Sequence, residues 1–258
     1  MRGTRRILPE NRGPMLWSRV PAGEVICFNP SMSSEWLPLQ HHYERCLAQA
    51  GATPLGVDWP NARDLEERFD VQLQVLSAVP AGAAPPSLLD LGCGPALLMD
   101  YLAATGRADA VDYQGIDISP AMIEAARHRW PDKSFQARDI LSDPLPPQSV
   151  DVVLMNGVLT ERRGIPRERM IGMAEALLSA AFRAARHGIV FNAMSRHVDW
   201  EREDLFHWGF DEVAAFLTRD LTRHIAIRAD YGLYEFTAFA WRRVQRRNNG
   251  AGTEWWKR

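Results

Sequence analysis

Between residues 86 and 241, short apolar runs rich in β-branched residues alternate with longer stretches whose apolar positions recur every three or four residues. That alternation predicts β-α-β units feeding a parallel sheet. Strands are expected at 87–92 (SLLDLG), 113–118 (YQGIDI), 134–140 (SFQARDI), 149–156 (SVDVVLMN) and 188–193 (GIVFNA). Ser119 followed by Pro120 predicts a capped helix start, because proline in the first turn gives up an N–H that has no helical partner. A second helix is expected over 167–186, with Met170, Met173, Ala174, Leu177, Leu178 and Ala181 on one face, ending near Gly188. A third begins near Asp211 and buries Val213, Phe216 and Leu217. The runs 223–229 and 234–241 are joined only by Asp230 to Leu233, too short for a parallel crossover, so they must pair antiparallel. The fold class expected is α/β: a doubly wound, mostly parallel seven-stranded sheet with one antiparallel strand near its edge.

The pattern before residue 80 is different. One amphipathic helix is expected over 34–50, carrying Trp36, Leu39, Tyr43 and Leu47, and another over 62–79, carrying Leu65, Phe69, Leu73 and Leu76 behind an Asn61 cap. The Ala/Pro-rich stretch 78–86 links them to the first strand. The organisation expected is a flexible basic segment 1–20, a helical lid or cover 21–80, a core 86–241 and a flexible basic tail 242–258. No internal repeat is visible.

With 258 residues and 46% hydrophobic content, the chain can bury a core without staples. Cys27, Cys46 and Cys93 are odd in number and far apart, which suggests neither disulfides nor a zinc site, and places the chain in a reducing, cytoplasmic compartment. Arg5 and Arg6 are followed by Pro9, Glu10, Asn11 and Arg12 rather than by the apolar stretch of an export signal. No run approaches the length of a membrane span. The net charge of −2 is unevenly spread. Residues 1–20 carry five arginines and Glu10, and residues 242–258 carry six basic residues and Glu254, so these ends total +9 and the body between them −11. An acidic body disfavours a nucleic-acid groove, and the basic ends read as solvated termini.

The chemistry concentrates in LLDLGCGPA, residues 88–96: an apolar strand, then Asp90, Gly92, Cys93 and Gly94 directly before a helix. Glycines there let the backbone turn tightly and approach a ligand closely. Asp117, 25 residues after Gly92, ends the second strand, and Asp139 ends the third. All three acids therefore lie at the carboxyl edge of the sheet, where open α/β sheets bind ligands. A nicotinamide dinucleotide fits poorly, because the third glycine position is Leu97 and Asp90 would face the phosphates.

DxGxG at the end of the first strand, with acids after the second and third, resembles the class I S-adenosylmethionine-dependent methyltransferases over residues 86–241. The resemblance implies S-adenosyl-L-methionine as cofactor. Gly92 and Gly94 would lie against its methionine part, Asp117 would hold the ribose, Asp139 would lie near the adenine amino group, and Ile118 and Ile140 would sandwich the purine. Asp90, Cys93 and Asn156 complete this set, with Cys93 read as a small packing residue of the turn rather than a nucleophile. Metal-dependent members carry an acid after strand four and an Asp-Asn pair after strand five, and amide- or nucleobase-directed members carry (N/D)PP(Y/F). MNGVLTER and FNAMS stand at those places, so neither a metal nor those substrates are expected.

What remains is an oxygen, nitrogen or carbon atom of a small-molecule acceptor. A weaker resemblance to bacterial biosynthetic methyltransferases runs through HHYERCLAQAG, ERFDVQLQVL, the stretch from Asn192 to Trp208, and DYGLYEF. It implies that Arg68 reaches the methionine carboxylate and that Tyr43 lines the acceptor pocket; Trp36, His41, His42, Asn192, Trp208 and Tyr231, in segments expected to face that pocket, are the further acceptor-contact candidates. His207 and His197 are the base candidates, with Asp199 as a carboxylate that could orient one. The partner expected is the small-molecule acceptor; a homodimer is admitted, and membranes and nucleic acid are not expected. Two other readings stay open: a cofactor-binding regulatory or scaffold protein without turnover, and a methyltransferase directed at a macromolecule by its basic ends.

Overall fold

A computed structural model describes residues 36–244. The basic segment 1–20, residues 21–35 of the expected cover, Cys27, and residues 245–258 with Trp255 and Trp256 lie outside the described residues.

Strand β1 (Ser87–Leu91) carries Leu88 and Leu89 in succession, both buried, because successive side chains point to opposite faces and both faces are covered. It pairs in parallel with β2 (Asp112–Asp117) on one side and β4 (Val150–Leu159) on the other. The sheet order is β3-β2-β1-β4-β5-β8-β7, with β3 spanning Ser134–Ala137, β5 Ala185–Ser195, β7 Ile225–Arg228 and β8 Glu235–Trp241. Only β8 runs against its neighbours β5 and β7. An eighth strand, the two-residue β6 (His207–Trp208), adds to the end of β5.

Two apolar layers cover the sheet. Leu89, Val153, Phe191 and Phe236 meet α5 (Arg167–Ala184) and α6 (Phe210–Phe216) on one face. Leu88, Val152, Val190 and Phe239 meet α2 (Ala62–Gln72), α3 (Leu97–Ala104) and α4 (Pro120–Arg129) on the other. Ser119 caps α4 as its sequence predicts, its hydroxyl accepting from Met122 N.

The two described N-terminal helices pack differently. α1 (Leu37–Ala50) buries only Leu39, and with the 3-10 turn Pro54–Val57 it overhangs the carboxyl edge. α2 instead belongs to the core layer through Leu65, Phe69 and Val71, and gives way at Leu73 to a 3-10 turn that buries Leu73 and Val75. Two boundaries also depart from expectation. β3 stops at Ala137; beyond it the Asp139 side chain reaches forward to accept from Leu141 N (2.9 Å), a turn that leads the chain out of the sheet. α5 stops at Ala184 and β5 begins at Ala185, so Gly188 lies inside a strand; a Cβ there would come within 2.7 Å of Ala240 O on β8. His207 lies in the short strand β6, ahead of α6.

Candidate functional site

The turn between β1 and α3 is held from below: Gly92 N and Cys93 N both donate to Ile116 O, at 2.7 and 3.1 Å. Gly92 sits at φ +79°, and a Cβ there would lie 2.3 Å from Val158 Cγ2, so both conformation and space require glycine. At the end of β2, Asp117 accepts from Gly94 N (2.9 Å) through one oxygen and from Ser119 N (2.8 Å) through the other. It thus ties the glycine turn to the start of α4. Burial raises the Asp117 pKa, and these backbone donors oppose the rise. Asp90 does not face this space. It is buried behind the turn, accepts from the Tyr113 hydroxyl at 2.7 Å, and burial pushes its pKa up to about 7.

Above the turn is a cavity of about 140 Å³. Gly92, Gly94, Asp117, Ile118, Asp139, Ile140 and Asn156 all line it, and Trp36 and Tyr43 of α1 close its upper side. Two buried acceptor atoms, Asp139 Oδ2 and Asn156 Oδ1, have no hydrogen-bond partner. Buried acceptors left unpaired are costly, so this cavity suits a ligand that presents donors.

A second cavity of about 600 Å³ adjoins the first and shares Tyr43, Val57 and Trp59 with it. Arg68 lines it from α2, stacked 3.9 Å over the Trp59 ring and ion-paired through Nε to Glu235 at 2.8 Å. Its Nη1 is buried without a hydrogen-bond partner. Glu235 also accepts from Asn192 Nδ2 (3.1 Å), while Asn192 Oδ1 accepts from Gly157 N (2.8 Å), so a buried polar chain fixes α2 to β8, β5 and the end of β4. On the opposite wall Arg163 lies 2.6 Å from Glu161 and 2.7 Å from Asp58, which in turn contacts His42 Nε2 at 2.8 Å. Burial raises Glu161 to about 7, against the pull of Arg163.

The acceptor residues expected from the sequence divide. Tyr43, His42, Asp199 and His207 face the larger cavity, and Trp36 the smaller. Trp208 is enclosed by Phe191, Phe206 and Phe216 in the core, Asn192 serves the buried chain above, and the Tyr231 hydroxyl is engaged by Thr237 at 3.0 Å. His41 is on the exposed side of α1. His197 packs against Phe210 at a tilt, with ring centroids 4.4 Å apart, outside both cavities. His207 has both ring nitrogens engaged, by Ser195 O (2.7 Å) and Arg202 N (3.1 Å), which commits the ring to holding the loop after β5. Trp59, Asp58, Glu161 and Arg163 escaped sequence reasoning. Glu161 stands in MNGVLTER after β4, a stretch read only for the motifs that it lacks.

Residues 88–188 match the family described as methyltransferase domain. A Mycobacterium tuberculosis protein assigned to the methyltransferases is 34% identical over 157 residues, 60% of this chain and 92% of its own length. A trans-aconitate 2-methyltransferase of Methylobacterium nodulans is 38% identical over 106 residues, 40% of this chain and 39% of its own. An 18S rRNA (guanine-N(7))-methyltransferase of Mus musculus is 30% identical over 130 residues, 48% and 44%. The chain thus spans less than half of these last two relatives. The fold is similar to that of magnesium protoporphyrin IX methyltransferase from Synechocystis PCC 6803 with bound S-adenosylhomocysteine, at TM-score 0.52 and 16% identity over 84% of this chain and 96% of that one.

Proposed function

Because the chain belongs to the class I S-adenosylmethionine-dependent methyltransferases, we propose that it methylates an oxygen, nitrogen or carbon atom of a small molecule lodged in the larger cavity. The observation that carries this reading is the junction of the two cavities at Tyr43, Val57 and Trp59, over the carboxyl ends of β1, β2 and β4. The smaller cavity fits the cofactor: Asp139 Oδ2 and Asn156 Oδ1 are unpaired acceptors, and Arg68 Nη1, just beyond it, is an unpaired cationic donor suited to the methionine carboxylate. In this assignment Asp117 receives the ribose, Ile118 and Ile140 enclose the purine, and Gly92 and Gly94 leave room for the methionine chain. When bound, the cofactor supplies an electrophilic methyl group on a sulfonium. The protein's share is alignment and exclusion of water. α1 and the turn Pro54–Val57 serve as the cover, whereas α2, tied down by the Arg68–Glu235 pair, is fixed framework.

A macromolecular acceptor is supported by the rRNA-directed relative but opposed by the −11 charge of residues 21–241. The test is transfer of labelled methyl from S-adenosylmethionine to pooled small metabolites, total RNA and total protein in parallel. Label in the small-molecule pool is expected; label confined to RNA or protein would overturn the reading.

A further inference from the structure

The larger cavity holds more carboxylate than its own cations neutralise. Each of its guanidiniums already has a carboxylate counter-charge: Arg68 that of Glu235 at Nε, with Nη1 left for the methionine carboxylate, Arg163 those of Glu161 and Asp58, and Arg202 that of Asp204. Asp199, on the same wall, has no partner among the described residues, and Asp64 bonds only the neutral Asn61 amide at 2.7 Å. Counting Glu235 and Asp204 behind the wall, six carboxylates (Asp58, Asp64, Glu161, Asp199, Asp204, Glu235) meet three guanidiniums. A ligand entering this space meets a negative field.

Two further observations narrow the ligand. Trp200 and Tyr234 stand 62% and 64% exposed at the cavity, ring centroids 6.4 Å apart, with Tyr43 and Trp59 deeper inside. Aromatic faces beside carboxylates favour an organic cation. Inside, Glu161 is only 7% exposed, and its Oε2, though 2.6 Å from Arg163 Nε, has no aligned hydrogen-bond partner. A second carboxylic acid would meet neither a free guanidinium nor a neutral wall.

On the reading that this cavity receives the acceptor, we infer that the acceptor is a small-molecule amine entering as its ammonium ion, and that Glu161 takes the proton from that nitrogen. The ammonium N–H breaks and the proton passes to the Glu161 carboxylate. The freed lone pair forms the N–CH3 bond while the S–CH3 bond breaks, its electron pair remaining on sulfur and cancelling the sulfonium charge. The product leaves as a methylated ammonium ion, and Glu161 returns its proton to water. Burial places Glu161 near 7, with Arg163 and Arg202 favouring its charge and Asp58 and Asp204 opposing it; Tyr43 and His42 are the other titratable groups nearby. A carboxyl poised there is ionised often enough at neutral pH to act as a base.

The experiment incubates the full chain with methyl-labelled S-adenosylmethionine and a small-metabolite extract, then separates products on cation and anion exchangers. Label is expected among cations, with transfer rising through about pH 7. Glu161→Gln should slow transfer about 100-fold or more and abolish that rise, while calorimetric binding of S-adenosylhomocysteine is unchanged. Asp199→Asn should raise KM for the labelled amine with little change in kcat. Label among anions or neutral molecules, or a Glu161→Gln variant at the wild-type rate, overturns the inference and leaves the methyltransferase reading standing. No labelled small molecule from a protein that binds S-adenosylhomocysteine overturns both.

Discussion

Asp139→Asn tests the contact proposed between the smaller cavity and the cofactor's adenine. Asp139 Oδ1 accepts from Leu141 N at 2.9 Å, a bond that an asparagine oxygen keeps, so the loop after β3 should stand. Oδ2 faces the smaller cavity with no partner, so the substitution removes a charged acceptor from the ligand without removing one from the fold. A hydrogen bond to a charged group contributes about 1.5–3 kcal/mol, and an amide N–H2 facing the adenine amino group replaces it with donor against donor. Affinity for S-adenosylhomocysteine should therefore fall roughly 10- to 150-fold. The melting temperature should stay within about 2 °C, since no bond of the unliganded protein is lost. Calorimetry reads the first and thermal denaturation the second. A folded variant that binds within about twofold of wild type would refute the assignment of Asp139 to the adenine.

Gly92→Ala forces a Cβ to within 2.3 Å of Val158 Cγ2 at φ +79°, and should cost about 1–3 kcal/mol in urea denaturation as well as cofactor affinity; an unchanged unfolding midpoint would contradict this. Glu235→Ala leaves the Arg68 charge buried and uncompensated and should destabilise the protein by about 3–5 kcal/mol, a loss also read by urea. Asp90 has a folded-state pKa raised to about 7, so its contribution to stability is full below its unfolded value and is lost as pH rises through about 7. Asp90→Asn should flatten that decline in melting temperature between about pH 4 and 7; parallel pH curves for variant and wild type would show that Asp90 is not the group responsible.

The sheet was legible because its signals are local. The continuous apolar runs of β1 and β4, and the four-residue link that makes β7 and β8 antiparallel, depend on neighbours in sequence. So does the lining of the smaller cavity, where Gly92, Gly94, Asp117 and Asp139 stand at or just after the ends of recognisable strands. The larger cavity was not legible, because it is assembled from distant parts: Asp58 from the turn after α1, Arg68 from α2, Glu161 and Arg163 from the loop after β4, and Asp199 from the loop after β5. Histidine was a misleading guide there. His207 resembles a base in sequence, yet its two ring nitrogens are committed to backbone groups twelve and five residues away. α2 was hard to place for a related reason: an amphipathic helix reads the same whether its apolar face is a lid or a core layer, and here both Leu65, Phe69 and Val71 and the Arg68–Glu235–Asn192 chain tie it to the sheet.

The most direct test of the two-cavity account is a crystal structure of the full chain with S-adenosylhomocysteine. The purine should lie between Ile118 and Ile140 with its amino nitrogen at Asp139 Oδ2, the carboxylate at Arg68, and the sulfur turned toward the space beside Tyr43 and Glu161. A nucleoside bound away from Asp117 and Asp139, or a sulfur walled off from the larger cavity, would contradict it.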